Sequence, residues 1–401
     1  MGMGEKIFKA IASLVGTTIG AGIFGLPYVV AKIGFLPGVI YLLILGFLTL
    51  LLNLIYGEVI LRTPGDRQLT GYAGIYLGKW GRSIALITLL LTVYGALLAY
   101  FIKIGHFLSF LFGFGLPVYW SFAFLTVAAL FLFFGLRAVS LVEGILVLLL
   151  LGLIVLLGVV GMGKIEFANF SGFFPQFLFL PYGVILFALS GASVIPEMEE
   201  ILREKRETGR ERRRREKREI ESERREKDGP KELKKAIIIG TLIPLFFYLL
   251  FITLVVGVCG KKTSEDAVLG LGLFLPDWVV DLGAVLGTLT MGTSFLTLGF
   301  VLREVYFRDF AIPKFFSWLL VCLGPPVLYF LGAKNFIEII GATGSLMGGL
   351  TGVLICLMFL RAKKMGKRKP AYVLSLPKFF VYFLVGVFLL GIVWQVGEIL
   401  G

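Results

Sequence analysis

Two stretches of this chain set helix-weakening residues among hydrophobic ones: GTTIGAGIFGLP, Gly16 to Pro27, and FALSGASVIPEM, Phe187 to Met198. Gly16, Gly20, Gly22 and Gly25 each cost a helix interior about 1 kcal/mol relative to Ala, and Pro27 removes a backbone donor. In hydrocarbon the freed N–H and C=O groups need partners, so a break persists only where it is buried in protein or lines a polar cavity. The alternative use of Gly16-x-x-x-Gly20 is close packing of small residues against a neighbouring helix. The second stretch favours a break, because Gly191 stands five residues before Pro196 just as Gly22 stands five before Pro27. A helix restarting near Gly22 presents unpaired N–H groups and the positive end of its dipole, which suits a carboxylate. Segments ending near Ile19 and over Phe187, Ala188, Leu189 and Ser190 present carbonyls, which suit an ammonium group or a metal cation. Together they form a zwitterion site without a charged side chain, and an α-amino acid is the expected occupant.

Ionisable residues inside apolar runs are the next candidates, since a charge in a bilayer is expensive to keep. Glu58, near the end of the second run, ranks first as a proton-coupling or gating acid; the alternative is a plain interfacial pair with Arg62. Lys103 and His106, three apart in the third run, either take part in transport or serve as a snorkelling cation and a packing residue. Tyr94 and Tyr100 of the same run are possible lining or gating aromatics.

The elements that must position these residues are membrane helices. Of 401 residues 58% are hydrophobic and 16% charged, and apolar runs of about 20 residues, each long enough to cross roughly 30 Å of hydrocarbon, recur throughout. Eleven runs are predicted, near 7–31, 36–61, 83–112, 116–136, 139–163, 176–198, 236–259, 278–302, 313–331, 336–360 and 372–397. The first continues uncharged from Ala10 to Ala31, longer than a signal-peptide core, and is read as a retained span. With the N-terminus inside, only Lys32, Lys164, Lys261, Lys262 and Lys334 of the 39 lysines and arginines fall in outer loops, and Lys103 lies within a span. The net charge of +13 is therefore a basic cytoplasmic face of an integral protein of the cell's inner or plasma membrane, not a nucleic-acid partner. Cys259, Cys322 and Cys356 lack paired spacing, so neither a disulfide framework nor a structural metal is implied, and no cofactor is expected. Breaks in spans one and six, five spans apart, are what two inverted five-span repeats predict. The division is 1–163 and 176–360, with 372–397 as an added eleventh helix.

The stretches GTTIGAGIFGLPYVVAKIGF (16–35), NLIYGEVILRT (53–63) and LSGASVIPEMEE (189–200) resemble the amino acid/polyamine/organocation transporter superfamily, and within it the amino acid/auxin permease branch and the bacterial aromatic amino acid permeases. The resemblance covers nearly the whole chain outside roughly 203–229. It implies an all-α fold of the leucine-transporter type and secondary active uptake of a neutral or aromatic amino acid. Carried over by position, the amides of Gly20, Ala21, Gly22 and Ile23 would hold the substrate carboxylate. The carbonyls around Thr17 and Thr18, with those of Phe187 to Ser190 beside Gly191, would hold the amine. In sodium-coupled relatives a cation sits between spans one and eight, on backbone oxygens that align with Gly16 and Ile19. Thr290, Thr293 and Ser294 in TMGTSF of span eight share a helical face for that purpose, or simply bond back to their own helix. Span five carries no lysine to replace that cation, yet the aromatic permeases are regarded as proton-driven, so protons are favoured over sodium.

The segment from Arg203 to Gly229 holds thirteen basic and nine acidic residues. Opposite charges four apart, such as Glu211 with Arg215 and Glu223 with Lys227, predict a solvated helix or loop; contact with anionic membrane lipid is the second reading. A sensor of transporter fold that binds an amino acid without flux is the rival of the whole reading. A channel is disfavoured because no loop resembles a selectivity filter, and ATP-driven transport because no Gly-x-x-x-x-Gly-Lys-Ser/Thr sequence occurs.

Overall fold

A computed structural model describes residues 2–134, 139–203 and 232–400, with side chains left aside over 139–143. The charged insertion, apart from Arg203, lies outside the described residues. The chain is helical throughout its spans. α1 (Met3–Thr18) and α2 (Gly22–Ile33) meet at 56° and together make the first span. There follow α3 (Phe35–Leu61), α4 (Leu69–Phe112), α5 (Pro117–Phe134), α6 (Val139–Gly161), α7 (Leu180–Ala188) and α8 (Ile195–Arg203). After the insertion come α9 (Leu233–Cys259), α10 (Asp277–Arg308), α11 (Lys314–Phe330), α12 (Phe336–Ala342), α13 (Gly349–Met365) and α14 (Lys378–Leu400).

Among the described residues nine helices are long and apolar enough to cross a membrane, and the bent α1–α2 pair makes a tenth. α11 coincides with the ninth predicted run but has only 17 residues and two internal prolines, Pro325 and Pro326, so the count of eleven rests on it. α4 begins fourteen residues before the third predicted run. Gly78 (φ 75°, ψ −163°) breaks it, so Leu69 to Leu77 is a separate polar-edged helix at the mouth of the span. Only a residue without a side chain takes that φ without strain.

Buried glycines set the packing. In a membrane the apolar surface of one helix gains little by leaving lipid for another, so association depends on close van der Waals contact at small residues. Along α3 and α9, which run antiparallel, a Cβ at Gly46 would lie 2.8 Å from Leu245 and one at Gly57 2.8 Å from Ile237. Between these contacts Asn53 Nδ2 donates to Thr241 Oγ1 at 3.3 Å.

Loops gather at two opposite ends. At the end bearing the N-terminus, Arg203 pairs with Asp66, Lys367 N donates to Arg62 O at 3.0 Å, and Arg361 Nη1 donates to Tyr76 O at 2.7 Å. At the other end Phe174 N donates to Ile33 O at 2.9 Å, and Asn169 Nδ2 donates to Gly257 O at 2.8 Å.

Candidate functional site

Both interruptions are three residues long. Ile19, Gly20 and Ala21 separate α1 from α2, while Leu189, Ser190 and Gly191 separate α7 from a 3-10 turn, Ala192–Val194, that leads into α8. None of Gly16, Gly20, Gly22, Gly25 or Gly191 has positive φ, so conformational freedom is not why these positions are glycine. Close approach is, at Gly20, Gly22, Gly25 and Gly191, whereas a Cβ on Gly16 would meet nothing within 4 Å. A Cβ on Gly22 would stand 2.5 Å from Ala188 Cα, and one on Gly191 would stand 2.6 Å from Thr18 Oγ1. The restart of each broken span thus presses on the last helical residue before the other break. The close packing falls at Gly22 and Gly191, not at Gly16.

A residue that the sequence did not single out joins the breaks. Tyr248 of α9 is fully buried, and its Oη lies 2.7 Å from Thr18 O and 2.8 Å from Ala188 O, the last helical carbonyls of α1 and α7. A phenol has one hydrogen to give, so the two carbonyls share a donor that satisfies one of them fully. Tyr100, from α4, brings its hydroxyl within 3.1 Å of where a Gly20 Cβ would be and acts electrostatically on Tyr248. Two phenols, from spans three and seven, therefore converge where carbonyls were expected to hold an amine. Tyr94 is turned away: its Oη meets Tyr306 Oη at 2.9 Å and Leu320 O at 3.2 Å.

The amide side is partly spent. Gly20 N donates to Thr18 O at 3.1 Å and Ile23 N reaches Gly20 O at 3.4 Å, a long bond. In the second break Ser190 Oγ turns back to Leu186 O at 2.9 Å. Thr17, Ser190 and Ser193 are exposed and Phe187 half-buried, so polar surface reaches the breaks. It continues toward the N-terminal end, where Ser13 Oγ donates to Glu197 Oε1 at 3.4 Å. Span ten adds a π-helical stretch, Thr343–Gly348. There a Cβ on Gly344 would lie 2.7 Å from Phe187 N, so the irregular turn abuts the second break.

The span-eight hydroxyls divide. Thr293 Oγ1 bonds back to Leu289 O at 3.2 Å and Thr290 O at 2.9 Å. Thr290 Oγ1 is buried without a hydrogen-bond partner among the described residues, which fits a cation ligand, and Ser294 is buried one turn further on. Ile19 is fully buried, whereas a Cβ on Gly16 would meet nothing within 4 Å.

Glu58 is fully buried and held on both oxygens. Arg62 Nε and Nη2 approach Oε1 at 2.8 and 2.7 Å, and Leu374 N donates to Oε2 at 2.6 Å. Tyr372 Oη donates to Leu54 O at 2.7 Å, so the segment before α14 is fastened across the end of span two. Lys103 does not snorkel. It is 1% exposed, with Nζ 2.5 Å from Asp266 Oδ1, 2.9 Å from Glu265 O and 4.1 Å from the Phe336 ring centre. His106 Nδ1 lies 3.1 Å from Asp266 Oδ2. Burial acts to raise the Asp266 carboxyl's pKa, but the adjacent Lys103 ammonium and the His106 hydrogen bond outweigh it and hold it well below the usual carboxylate range. Span three, the loop between spans seven and eight, and the start of span ten are thereby tied together at the end away from the N-terminus.

Comparison with known proteins agrees with this architecture. Residues 3–195 match the tryptophan/tyrosine permease family. The amino acid transporter AVT6B of Arabidopsis thaliana is 31% identical over 109 residues, 26% of this chain and 23% of that protein; the match spans about a quarter of the relative's length. The crystal structure of MhsT in complex with L-phenylalanine superposes with a TM-score of 0.62 at 16% identity, covering 96% of this chain and 98% of that one. The fold is shared and is of the leucine-transporter type.

Proposed function

We propose that this chain, a permease of the amino acid/polyamine/organocation type, imports a neutral or aromatic amino acid with a cation, protons favoured over sodium, by alternating access around its two breaks. The observation that carries the reading is the reciprocal pair of three-residue breaks, each braced against the other and both met by Tyr248. The repeats run over 1–163 and 176–360, with 372–397 outside them, and the N-terminus faces the cytoplasm of the cell's inner or plasma membrane. The Gly20 to Ile23 amides bind the substrate carboxylate. The ammonium, with three donors, takes the Thr18 and Ala188 carbonyls that share the Tyr248 hydrogen, and Phe187 borders the substrate side chain.

Exposed polar groups at mid-membrane depth imply contact with water, because lipid would leave them unsatisfied. Thr17, Ser190, Ser193 and Glu197 therefore describe a path from the cytoplasmic side, while Lys103 with Asp266 shuts the outer side. Glu58 acts as a gating acid by holding the segment before α14. The Thr290 hydroxyl remains available to a sodium ion.

The test is uptake of radiolabelled tryptophan, tyrosine and leucine into liposomes holding the purified protein, under a proton or a sodium gradient alone. Accumulation driven by protons is expected. Accumulation driven by sodium alone would overturn the proton preference, and binding without flux under either gradient would make the protein a sensor of transporter fold.

A further inference from the structure

Five buried side-chain oxygens lack a hydrogen-bond partner among the described residues: those of Asn53 (Oδ1), Tyr56, Thr88, Glu199 (Oε1) and Thr290. Three of them, on Asn53, Tyr56 and Glu199, occur along one region of the protein. Tyr248 at the breaks and Thr241 lie seven residues, two turns, apart on one face of α9. Thr241 accepts from Asn53 of α3, and Tyr56 follows one turn further along α3. The rings of Tyr56 and Tyr72 meet edge to face at 6.0 Å, and Tyr72 acts electrostatically on Glu199. Polar groups thus descend from the breaks to Glu199 through an otherwise apolar interior.

Glu199 sits on α8, the half of span six below its break, and is 4% exposed. Among the described residues its Oε2 has a distant ion pair, Arg203 Nε at 3.8 Å, while Arg203 itself pairs with Asp66. The other groups around it are Arg368, Asp66 and Glu200, which act on its carboxylate, and Tyr72. From the remaining packed elements, Ser13 of α1 bonds to Glu197 instead and Lys9 pairs with Glu5. Lys234 of α9 lies over the Tyr372 ring. Glu58 of α3 is taken by Arg62 and Leu374.

A buried ionised carboxylate with one oxygen unsatisfied is costly, whereas its neutral acid loses far less by burial. Of the two buried carboxylates at this end, Glu58 has every partner a charge requires and Glu199 does not. We infer that Glu199, not Glu58, holds the transported proton: Oε1 takes it up on the route down from the substrate site, and gives it to water at the cytoplasmic end. The carboxylate gains one proton and loses the same one in each cycle. This rests on the proton-symport reading above.

The experiment uses liposomes with the full-length protein and three readouts: exchange of labelled against unlabelled amino acid, accumulation driven by a pH gradient, and proton uptake on amino acid binding, followed with a pH dye in detergent. Absence of exchange in the wild type would refute transport itself. Exchange without proton-driven accumulation in the wild type would refute proton coupling, and with it this assignment. Where the wild type shows both, Glu199→Gln is expected to keep exchange and lose proton-driven accumulation; retention of accumulation would overturn the inference. Should the variant lose exchange too, binding-linked proton uptake decides, because it needs only a folded binding site. Its loss in Glu199→Gln with amino acid binding intact supports the assignment, and its persistence, or loss of binding itself, overturns it.

Discussion

Gly16 and Gly22 belong to the same glycine-rich stretch, yet the structure assigns them opposite responses to one methyl group. A Cβ on Gly22 would lie 2.5 Å from Ala188 Cα, 2.7 Å from Ala188 Cβ and 3.1 Å from Ala188 N. Carbon atoms settle near 3.5–4.0 Å, so Gly22→Ala must part the two breaks by about 1 Å. The neighbour is backbone, which cannot rotate aside. Overpacking of this kind costs about 1–3 kcal/mol. Moving α2 from Ala188 by that distance also disturbs the Tyr248 contacts at 2.7 and 2.8 Å, a further loss of about 0.5–1.5 kcal/mol for one hydrogen bond. A Cβ on Gly16 meets nothing within 4 Å, and Gly16→Ala gains up to about 1 kcal/mol of helix propensity. Thermal unfolding in detergent should therefore rank Gly16→Ala at or above the wild type and Gly22→Ala clearly below it. Uptake should be nearly unchanged in the first and severely reduced in the second, since a displacement of about 1 Å at a reacting or binding centre can cost about 10²-fold in rate. Wild-type uptake and stability in Gly22→Ala would refute the contact between the breaks.

Tyr248→Phe removes the shared donor and leaves the Thr18 and Ala188 carbonyls short of it. The empty protein is expected to lose about 1–3 kcal/mol, and amino acid binding to restore part of this, so the substrate-induced rise in melting temperature should exceed the wild type's; an equal or smaller rise would contradict amine binding at these carbonyls. Thr290→Val replaces an unpartnered buried hydroxyl with a methyl group. With protons as the coupling ion it should leave uptake intact and raise stability by up to about 1–3 kcal/mol, whereas loss of sodium-driven uptake would assign Thr290 to a cation site. Asp266 has a depressed pKa, so its stabilising charge is present above the unfolded value of about 3.9 and is lost only as pH falls through the lower folded value. Asp266→Asn should slow uptake, by leaving Lys103 buried without its counter-charge; uptake at the wild-type rate would refute a role for the pair in transport.

The breaks were legible in the sequence because helix-weakening residues in apolar surroundings have few other uses, and because Gly22–Pro27 and Gly191–Pro196 repeat one spacing. What each glycine touches was not legible. Gly22 meets Ala188 and Gly191 meets Thr18 only after some 170 residues of chain have folded back, and no local pattern encodes that register. Tyr248 is one of 14 tyrosines, in an apolar run like any other; its position seven residues from Thr241 gains meaning only when α9 lies against α3. The partner of Lys103 was hidden likewise, since Asp266 stands 163 residues away in a loop that an apolar-run search passes over. The helix from Leu69 to Leu77 escaped because it is too short to register as a span and is flanked by the polar Gln68, Lys79 and Arg82. Back-bonding by Thr293 was foreseen as an alternative, and it holds for that residue while Thr290 escapes it.

The two ends of the protein spend their charges differently, and this bears on where pH can act. At the end away from the N-terminus Asp266 meets Lys103 at 2.5 Å and His106 at 3.1 Å, and in the Lys103–Asp266 pair removing either charge would strand the other. Any movement that opens that end must separate the pair bodily, which entering water can assist by solvating both charges. At the end bearing the N-terminus Glu58 is equally complete, bound to Arg62 and to a backbone amide of the segment before α14. Glu199 is the exception, with one oxygen that has no hydrogen-bond partner among the described residues in a buried position. A group in that condition changes its protonation at the least energetic cost when its surroundings change, and it sits on the half-helix that adjoins a break. A proton bound there is linked to the state of span six, whose break meets that of span one, whereas the other buried charges among the described residues, Glu58 and Lys103, are already paired.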